Sequence, residues 1–259
     1  MPVFLRVILI IIICFLALFL GYIILPWFFY FPYCLFISMK KEYSVPSKIH
    51  DKIMVSWYSY FCSISRVKIH VSGIEKIPEN QHFLFVSNHR SRFDNMIHAI
   101  ALKPEYVSFI SKPENFKIPF ARRYMKREMY IPIERDNPRL AMKAILTAID
   151  YLQKGFFSIG VFPEGTRSKD GKLGEYKPGC LKIAEKANVP LVVGVTQGTQ
   201  LIHKNWPWKR SHVYFDIIDV IPPEKIKTEG TVQISDYISL NTKNYIEETK
   251  KEFKKYKKI

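Results

Sequence analysis

No charged side chain occurs from residue 7 to residue 39, and a run of that length and apolarity decides the setting before any other feature does. Its first part, residues 7–25, has the length of a helix that crosses a hydrocarbon core. The segment belongs in a membrane, and the rest of the chain folds as a body tethered to it. Pro26 is expected to break the run. The stretch WFFYFPYCLFI (27–37) that follows is too short to span, although its Trp and Tyr suit the boundary between lipid and water. Two arrangements stay open for residues 1–39: a spanning helix followed by an interfacial aromatic piece, or a re-entrant hairpin that enters and leaves on one side. A cleaved signal peptide with Arg6 as its basic start is disfavoured, because no small-x-small cleavage site follows the apolar run. Lys40 and Lys41, just beyond it, put the body on the cytoplasmic face by the positive-inside rule.

Arg6 is the one charged residue among residues 1–39, so the remainder carries all but one of the +16 formal charges. A body this basic implies an anionic partner: a lipid surface, an acidic carrier protein or nucleic acid. With 48% hydrophobic residues the chain has enough for a large core. The four cysteines, Cys14, Cys34, Cys62 and Cys180, have no C-x-x-C spacing, which supports neither a zinc site nor a disulfide framework and fits a reducing compartment.

Along the body, Ile49, Ile53, Met54, Trp57, Tyr60, Phe61 and Ile64 recur at helical spacing and predict a connector helix within residues 40–66. Short apolar runs then alternate with helical patterns. Strands are expected at 67–71, 82–87, 106–110, 129–133, 157–162, 190–195 and 212–218, and helices at 94–102, 138–154 and 179–187. This alternation predicts an α/β domain over residues 67–225, followed by a basic C-terminal segment, 226–259. The helix at 138–154 has the clearest ends, with Asn137 as N-cap, Pro138 in the first position and Gly155 just past the last turn.

The chemistry-bearing residues lie where strands end. NHRSRFD (88–94) follows an apolar strand and leads into a helix. Ser91 and Asp94 match a capping box, with Asp94 reaching back to free N–H groups. The same geometry turns the carboxylate towards His89, where it can fix the imidazole tautomer and leave a general base at the strand end. A second strand runs into FPEGTRS (162–168), a turn that displays Glu164, Gly165, Thr166 and Arg167. Glycine admits a ligand to the backbone and arginine offers a planar fork for phosphate; an ordinary turn with an exposed Arg is the plainer alternative.

NHRSRFD resembles the N-H-x4-D motif, and FPEGTRS the F-P-E-G-T-R-S motif, of the glycerophospholipid acyltransferases related to 1-acyl-sn-glycerol-3-phosphate acyltransferase. The resemblance runs from about residue 71 to 220 and takes in Lys112, Pro119, IPIER (131–135) and VPLVV (189–193). It implies a mixed central sheet flanked by helices on an N-terminal membrane-embedded helical element. It also implies acyl transfer from acyl-CoA or acyl carrier protein to the free sn-2 hydroxyl of 1-acyl-sn-glycerol-3-phosphate, giving phosphatidic acid, with no cofactor and no metal. Carried to this chain, it makes His89 the base and Asp94 its orienting partner. Arg135, Glu164, Gly165, Thr166 and Arg167 would hold the acceptor phosphate, with Lys112 beside them. Backbone N–H groups near the helix start at Ser91 are the expected oxyanion donors. The chain departs from the family at Asn115, at Arg122 and Arg123, and at Val193, in blocks that line the family's binding sites.

Other features have plainer readings. His98, four residues after Asp94, would complete a three-ligand metal set, but a satisfied core histidine is the simpler account. Cys180 reads as a small buried residue rather than an acyl-carrying nucleophile. KNWPWKR (204–210) suits a loop dipping into headgroups or a packed loop between strands, and KKEFKKYKKI (250–259) a helix on anionic lipid or a solvated tail. A membrane-tethered nucleic-acid binder would explain the charge, but the chain has no recognition motif for it, so no nucleic-acid partner is expected. An inactive scaffold is disfavoured by the presence of His89, Asp94, Glu164 and Arg167 together.

Overall fold

A computed structural model describes residues 2–168 and 172–256, the last six of these by their backbone alone. Helix α1 (Val3–Phe36) is continuous through Pro26 and Pro32 and is about 50 Å long at 1.5 Å per residue. Helix α2 (Lys48–Ile64) folds back along its C-terminal half. Tyr22 meets Ser63, Tyr30 meets Ser56 and Tyr33 meets His50, with side-chain hydrogen bonds of 2.8, 2.8 and 2.7 Å, so the helices are antiparallel. The expected break at Pro26 does not occur. Proline deprives the Tyr22 carbonyl of its helical donor, and the Tyr60 hydroxyl of α2 supplies one instead, at 3.2 Å to Tyr22 O and 2.6 Å to Ile23 O. A re-entrant hairpin within residues 1–39 is therefore excluded; the chain turns at residues 37–47, and α1 and α2 form the hairpin. Helix α1 is long and apolar enough to cross a membrane, and none of its most apolar window is buried.

The body contains strands β1 (Val67–Ser72), β2 (Leu84–Ser87), β3 (Val107–Ser111), β4 (Ile131–Pro132), β5 (Ser158–Val161), β6 (Leu191–Gln197) and β7 (Ser211–Ile221). Among the described residues they form one sheet in the order β1-β7-β6-β2-β5-β3-β4. All neighbours pair in parallel except β6 and β7, which are antiparallel. The sheet is mixed, as the α/β alternation and the resemblance led one to expect. Strands β2, β3, β5 and β6 are buried along their length, which is why their sequences are nearly continuous apolar runs.

Successive side chains of β2 enter opposite cores. Leu84 and Val86 pack with α5 (Pro138–Gln153), α6 (Lys182–Ala187) and α8 (Pro223–Tyr256), through Ala148, Ile183 and Ile234 among others. Phe83 and Phe85 pack on the other face against α3 (Asp94–Ala101), α4 (Ala121–Arg127) and α7 (Ile202–Asn205), through Ile97, Met125 and Ile202. Asn137 caps α5 as expected, its Oδ1 accepting from Arg139 N and Leu140 N.

Two expected boundaries move. In the connector assigned to 40–66, only residues 48–64 are helical, starting where the Ser47 side chain accepts from His50 N. The segment assigned to 226–259 is no separate tail at its start: α8 begins at Pro223, and Ile226, Ile234 and Ile238 are core residues. Side chains from 251 onward, most of the KKEFKKYKKI stretch, lie outside the described residues.

Helix α4 joins the two parts of the molecule. Arg123 Nη1 donates to Leu35 O at 3.3 Å and Ile37 O at 2.7 Å, Lys126 Nζ to Met39 O at 2.5 Å, and Arg127 Nη1 to Val45 O at 3.0 Å. Cations thus take up main-chain oxygens at the end of α1 and along the turn that follows it.

Candidate active site

Strands β2, β5, β3 and β4 are adjacent and parallel, so their C-terminal ends share one edge of the sheet, the usual ligand edge of such folds. His89 follows β2, Glu164 to Arg167 follow β5, Lys112 follows β3 and Arg135 follows β4. Four segments far apart in sequence are brought to one place by strand direction alone.

Asp94 is fully buried and accepts four hydrogen bonds. Its Oδ2 takes His89 Nδ1 at 2.7 Å, Arg90 N at 2.7 Å and Ser91 N at 2.8 Å, while Oδ1 takes Thr199 Oγ1 at 2.6 Å. Burial alone would push this carboxyl up. The hydrogen bond and charge of His89, with the Thr199 hydroxyl, outweigh burial and hold it below the usual carboxylate range. An ionised Asp94 can only accept, so the proton between the pair sits on His89 Nδ1, and in the neutral imidazole Nε2 is then the nitrogen with the lone pair. The imidazole lies flat on Phe162, centroids 4.0 Å apart and planes 18° apart.

The capping box forms with a twist. Asp94 reaches back to Ser91 N as expected, but Ser91 Oγ accepts from Phe93 N at 3.2 Å, one residue early, and α3 starts only at Asp94. This compact turn lets one carboxylate serve both the helix start and the imidazole. It leaves fewer of the expected oxyanion donors free. The N–H groups of Arg90, Ser91 and Phe93 are spent locally and that of His89 goes to Glu164, while that of Arg92 makes no hydrogen bond among the described residues.

Glu164 departs from the phosphate-holding role expected of it. Its Oε1 accepts from His89 N at 2.6 Å and its Oε2 from Gly174 N at 2.7 Å, and the side chain is buried. Burial pushes the carboxyl up, and these two N–H donors pull it back in part. A carboxylate engaged in this way, and of the same charge sign as phosphate, braces the two motifs against each other instead of holding an anion. Ser168 N completes the brace by donating to His89 O at 2.9 Å. Gly165 has φ +75°, and a Cβ there would stand 3.1 Å from Arg135 Nη1, so the turn needs glycine for its backbone and for the guanidinium lying on it. Thr166, Arg167 and Lys112 are exposed at the same edge, and the Arg167 and Lys112 side chains make no hydrogen bond among the described residues.

The structure adds residues that the sequence did not single out. Asn88 bridges to β6 as a backbone would: its Nδ2 donates to Thr196 O at 2.9 Å and its Oδ1 accepts from Thr196 N at 2.8 Å. This carries the β2–β6 pairing past Ser87 and fixes the strand exit just before His89. Thr199, reaching Asp94 across a sequence separation of 105, has no local signature. His98 is buried, with its pKa pushed down to about 3 chiefly by burial, and its Nε2 lies 2.7 Å from Thr196 Oγ1. Asp94 is saturated and His98 is turned to Thr196, so the trio His89, Asp94 and His98 does not converge; among the described residues no group of three or more His, Cys, Asp or Glu is placed to hold a metal ion.

A mixed sheet with a carboxylate-held histidine at the ends of its parallel strands defines an acyltransferase domain, and residues 68–195 match the family model described as Acyltransferase. Residues 68–195 thus form a domain of this family, and the similarity of the chain runs to the 1-acyl-sn-glycerol-3-phosphate acyltransferases within it. A chloroplastic enzyme of that name from Arabidopsis thaliana is 36% identical over 153 residues, 59% of this chain and 42% of the relative. A probable 1-acyl-sn-glycerol-3-phosphate acyltransferase from Mycoplasma genitalium is 31% identical over 178 residues, 66% of this chain and 65% of that one. The match thus spans about two fifths of the longer, chloroplastic relatives, 42% and 43% of their length. The crystal structure of the 1-acyl-sn-glycerophosphate (LPA) acyltransferase PlsC from Thermotoga maritima superposes with a TM-score of 0.67 at 26% identity, covering 91% of this chain and 95% of that one.

Proposed function

We propose that the protein transfers a fatty acyl group from acyl-CoA or acyl carrier protein to the free sn-2 hydroxyl of 1-acyl-sn-glycerol-3-phosphate, giving phosphatidic acid, with its body on the cytoplasmic face of a membrane. The observation that carries this reading is the 2.7 Å hydrogen bond from His89 Nδ1 to Asp94 Oδ2, with Nε2 making no hydrogen bond among the described residues. Nε2 removes the proton from the acceptor hydroxyl as its oxygen attacks the thioester carbonyl carbon. The tetrahedral adduct collapses, the C–S bond breaks, and the thiolate takes the proton from His89. Asp94 stays ionised throughout and stabilises the imidazolium formed in between. A thiolate is a good leaving group, so the transfer requires neither metal nor cofactor.

The acceptor phosphate falls to Arg167 and Arg135, with Thr166 and the backbone at Gly165 between them and Lys112 further out. Two exposed or half-exposed guanidiniums at one edge supply the planar forks such a group needs. Glu164 sets the distance between this clamp and the base. A base so positioned is worth on the order of 10²–10⁴ in rate.

The test is transfer of labelled acyl groups from each donor in turn to lysophosphatidic acid by purified protein. Wild type should form phosphatidic acid with at least one donor, and a folded His89→Ala variant should lose that activity by on the order of 10²-fold or more. Folded wild type that is silent with both donors would remove the acceptor assignment and open a screen of other lysolipids.

A further inference from the structure

The connection from β6 to β7 starts at the catalytic pair and ends outside the protein. Thr199 holds Asp94, α7 follows, and residues 206–210 are then exposed one after another, with Trp206 at 55% and Trp208 at 84%. Because β7 runs antiparallel to β6, this connection lies on the edge where His89 stands. Strand β1 runs parallel to β7 with Val67 opposite Ser211, so the end of α2 arrives at the same edge. The two are tied together: Trp206 Nε1 donates to Ile64 O at 3.0 Å, and Arg66 Nη1 to Pro207 O at 3.1 Å and Trp208 O at 3.3 Å.

One residue before Ile64, Ser63 Oγ lies 2.8 Å from Tyr22 OH, and this is the level at which α1 loses its protein cover. Every residue from 3 to 20 is exposed, and that bare stretch is about 27 Å long, close to the thickness of a hydrocarbon core. The emergence of α1, the two tryptophans and the catalytic edge therefore share one level of the molecule.

The chemistry of the loop fits that position. An exposed indole combines an apolar ring with one N–H donor and is enriched at the boundary between lipid and water. Lys204, Lys209, Arg210 and Arg66 are exposed around the two rings, and no acidic residue occurs between Thr199 and Phe215. We propose that residues 204–210 seat the protein on an anionic phospholipid bilayer, with the indoles of Trp206 and Trp208 at headgroup depth and the surrounding cations on lipid phosphates. This holds the edge bearing His89 and Asp94 against the leaflet, where an amphiphile can reach it without leaving the membrane.

The test reads position and not turnover, so it stands or falls apart from the acyl-transfer reading. The full chain carrying Trp27→Phe, Trp57→Phe and Trp206→Phe keeps Trp208 as its one indole and is reconstituted in vesicles of phosphatidylcholine and phosphatidylglycerol. Lipids brominated near the carbonyl end of the acyl chain should quench its emission strongly, those brominated near the terminal methyl weakly, and aqueous iodide little. Strong iodide quenching with none from either bromolipid overturns the proposal. Trp27 and Trp57 pack together, so a second variant, Trp208→Phe with the other indoles in place, guards against misfolding. It must lose part of the shallow-bromine quenching seen in wild type, and unchanged quenching overturns the proposal equally.

Discussion

Asp94 and Glu128 are both buried carboxyls, exposed by 0% and 6%, and their surroundings drive them in opposite directions. Asp94 sits among four donors and is held ionised. Glu128, at the end of α4, is pushed up to about 8 by burial, and the nearby Asp51 charge adds to this while Tyr106 and Arg127 offset it only in part. His50 Nε2 stands 3.3 Å from Glu128 Oε1, but neither atom makes a hydrogen bond of good geometry. Burial therefore decides the charge of a carboxyl only where the fold omits donors. At the catalytic edge the chain builds them from backbone and threonine; at the joint with the membrane hairpin it does not.

The largest loss is expected from Asp94→Asn. The amide preserves size but presents an N–H where His89 needs an acceptor, which leaves the imidazole in the wrong tautomer, and acyl transfer should fall on the order of 10³-fold. Single-turnover kinetics on a variant with native circular dichroism checks it; a loss of under about tenfold would show that the pair is not used as a unit.

Thr199→Val removes one donor of the four. The carboxyl pKa should rise and the acid limb of the pH–rate profile should move to higher pH, with kcat lower by about tenfold, the worth of one hydrogen bond to a charge. Thr199→Ser should restore both, which a packing defect alone would not allow.

Glu128→Gln probes the other carboxyl through stability. Its folded pKa of about 8 lies above the ordinary 4.5, so its contribution is complete below pH 4.5 and is lost as pH rises through 8. His50, pushed down to about 4 from 6.5 chiefly by burial, has the opposite slope below pH 6.5. Between pH 6.5 and 8 only the Glu128 slope remains, at most about 1.4 kcal/mol per pH unit. Urea midpoints in detergent should fall over that window for wild type and stay level for Glu128→Gln.

The smallest effect is expected at Cys180. Burial pushes its thiol up to about 12, and its Sγ donates to Lys177 O at 3.1 Å, so it carries no thiolate to acylate. Cys180→Ala should keep the rate within about twofold.

The sheet was legible because buried parallel strands need unbroken apolar runs, and six of the expected strands recur within a few residues of their places. The seventh, β4, is an edge strand that keeps only Ile131 and Pro132, with one more bond from Ile133 N to Ser111 O at 2.9 Å. His89 and Asp94 were legible because a capping box and a histidine five residues away force their side chains together. Glu164 was visible but misread: sequence displays a carboxyl in a turn without showing that two backbone N–H groups already hold it. Thr199 and Thr196 were invisible, as the register of β6 against β2 is a property of the folded sheet. The course of α1 through Pro26 was hidden for a similar reason, because the compensating hydroxyl, Tyr60, comes from another helix.

The joint between α4 and the end of α1 has a further consequence. Arg123, Lys126 and Arg127 grip main-chain oxygens at Leu35, Ile37, Met39 and Val45 and no side chain among them. Such a clasp is blind to the identity of the residues it holds. The side chains at those four positions can change without loosening this joint, whereas the tyrosines of α1 that meet α2 and the three basic residues of α4 cannot. For the engineer, the part of α1 ahead of Tyr22, which touches no other element, is the exchangeable stretch: a longer or shorter apolar run there would fit the same body to a different membrane.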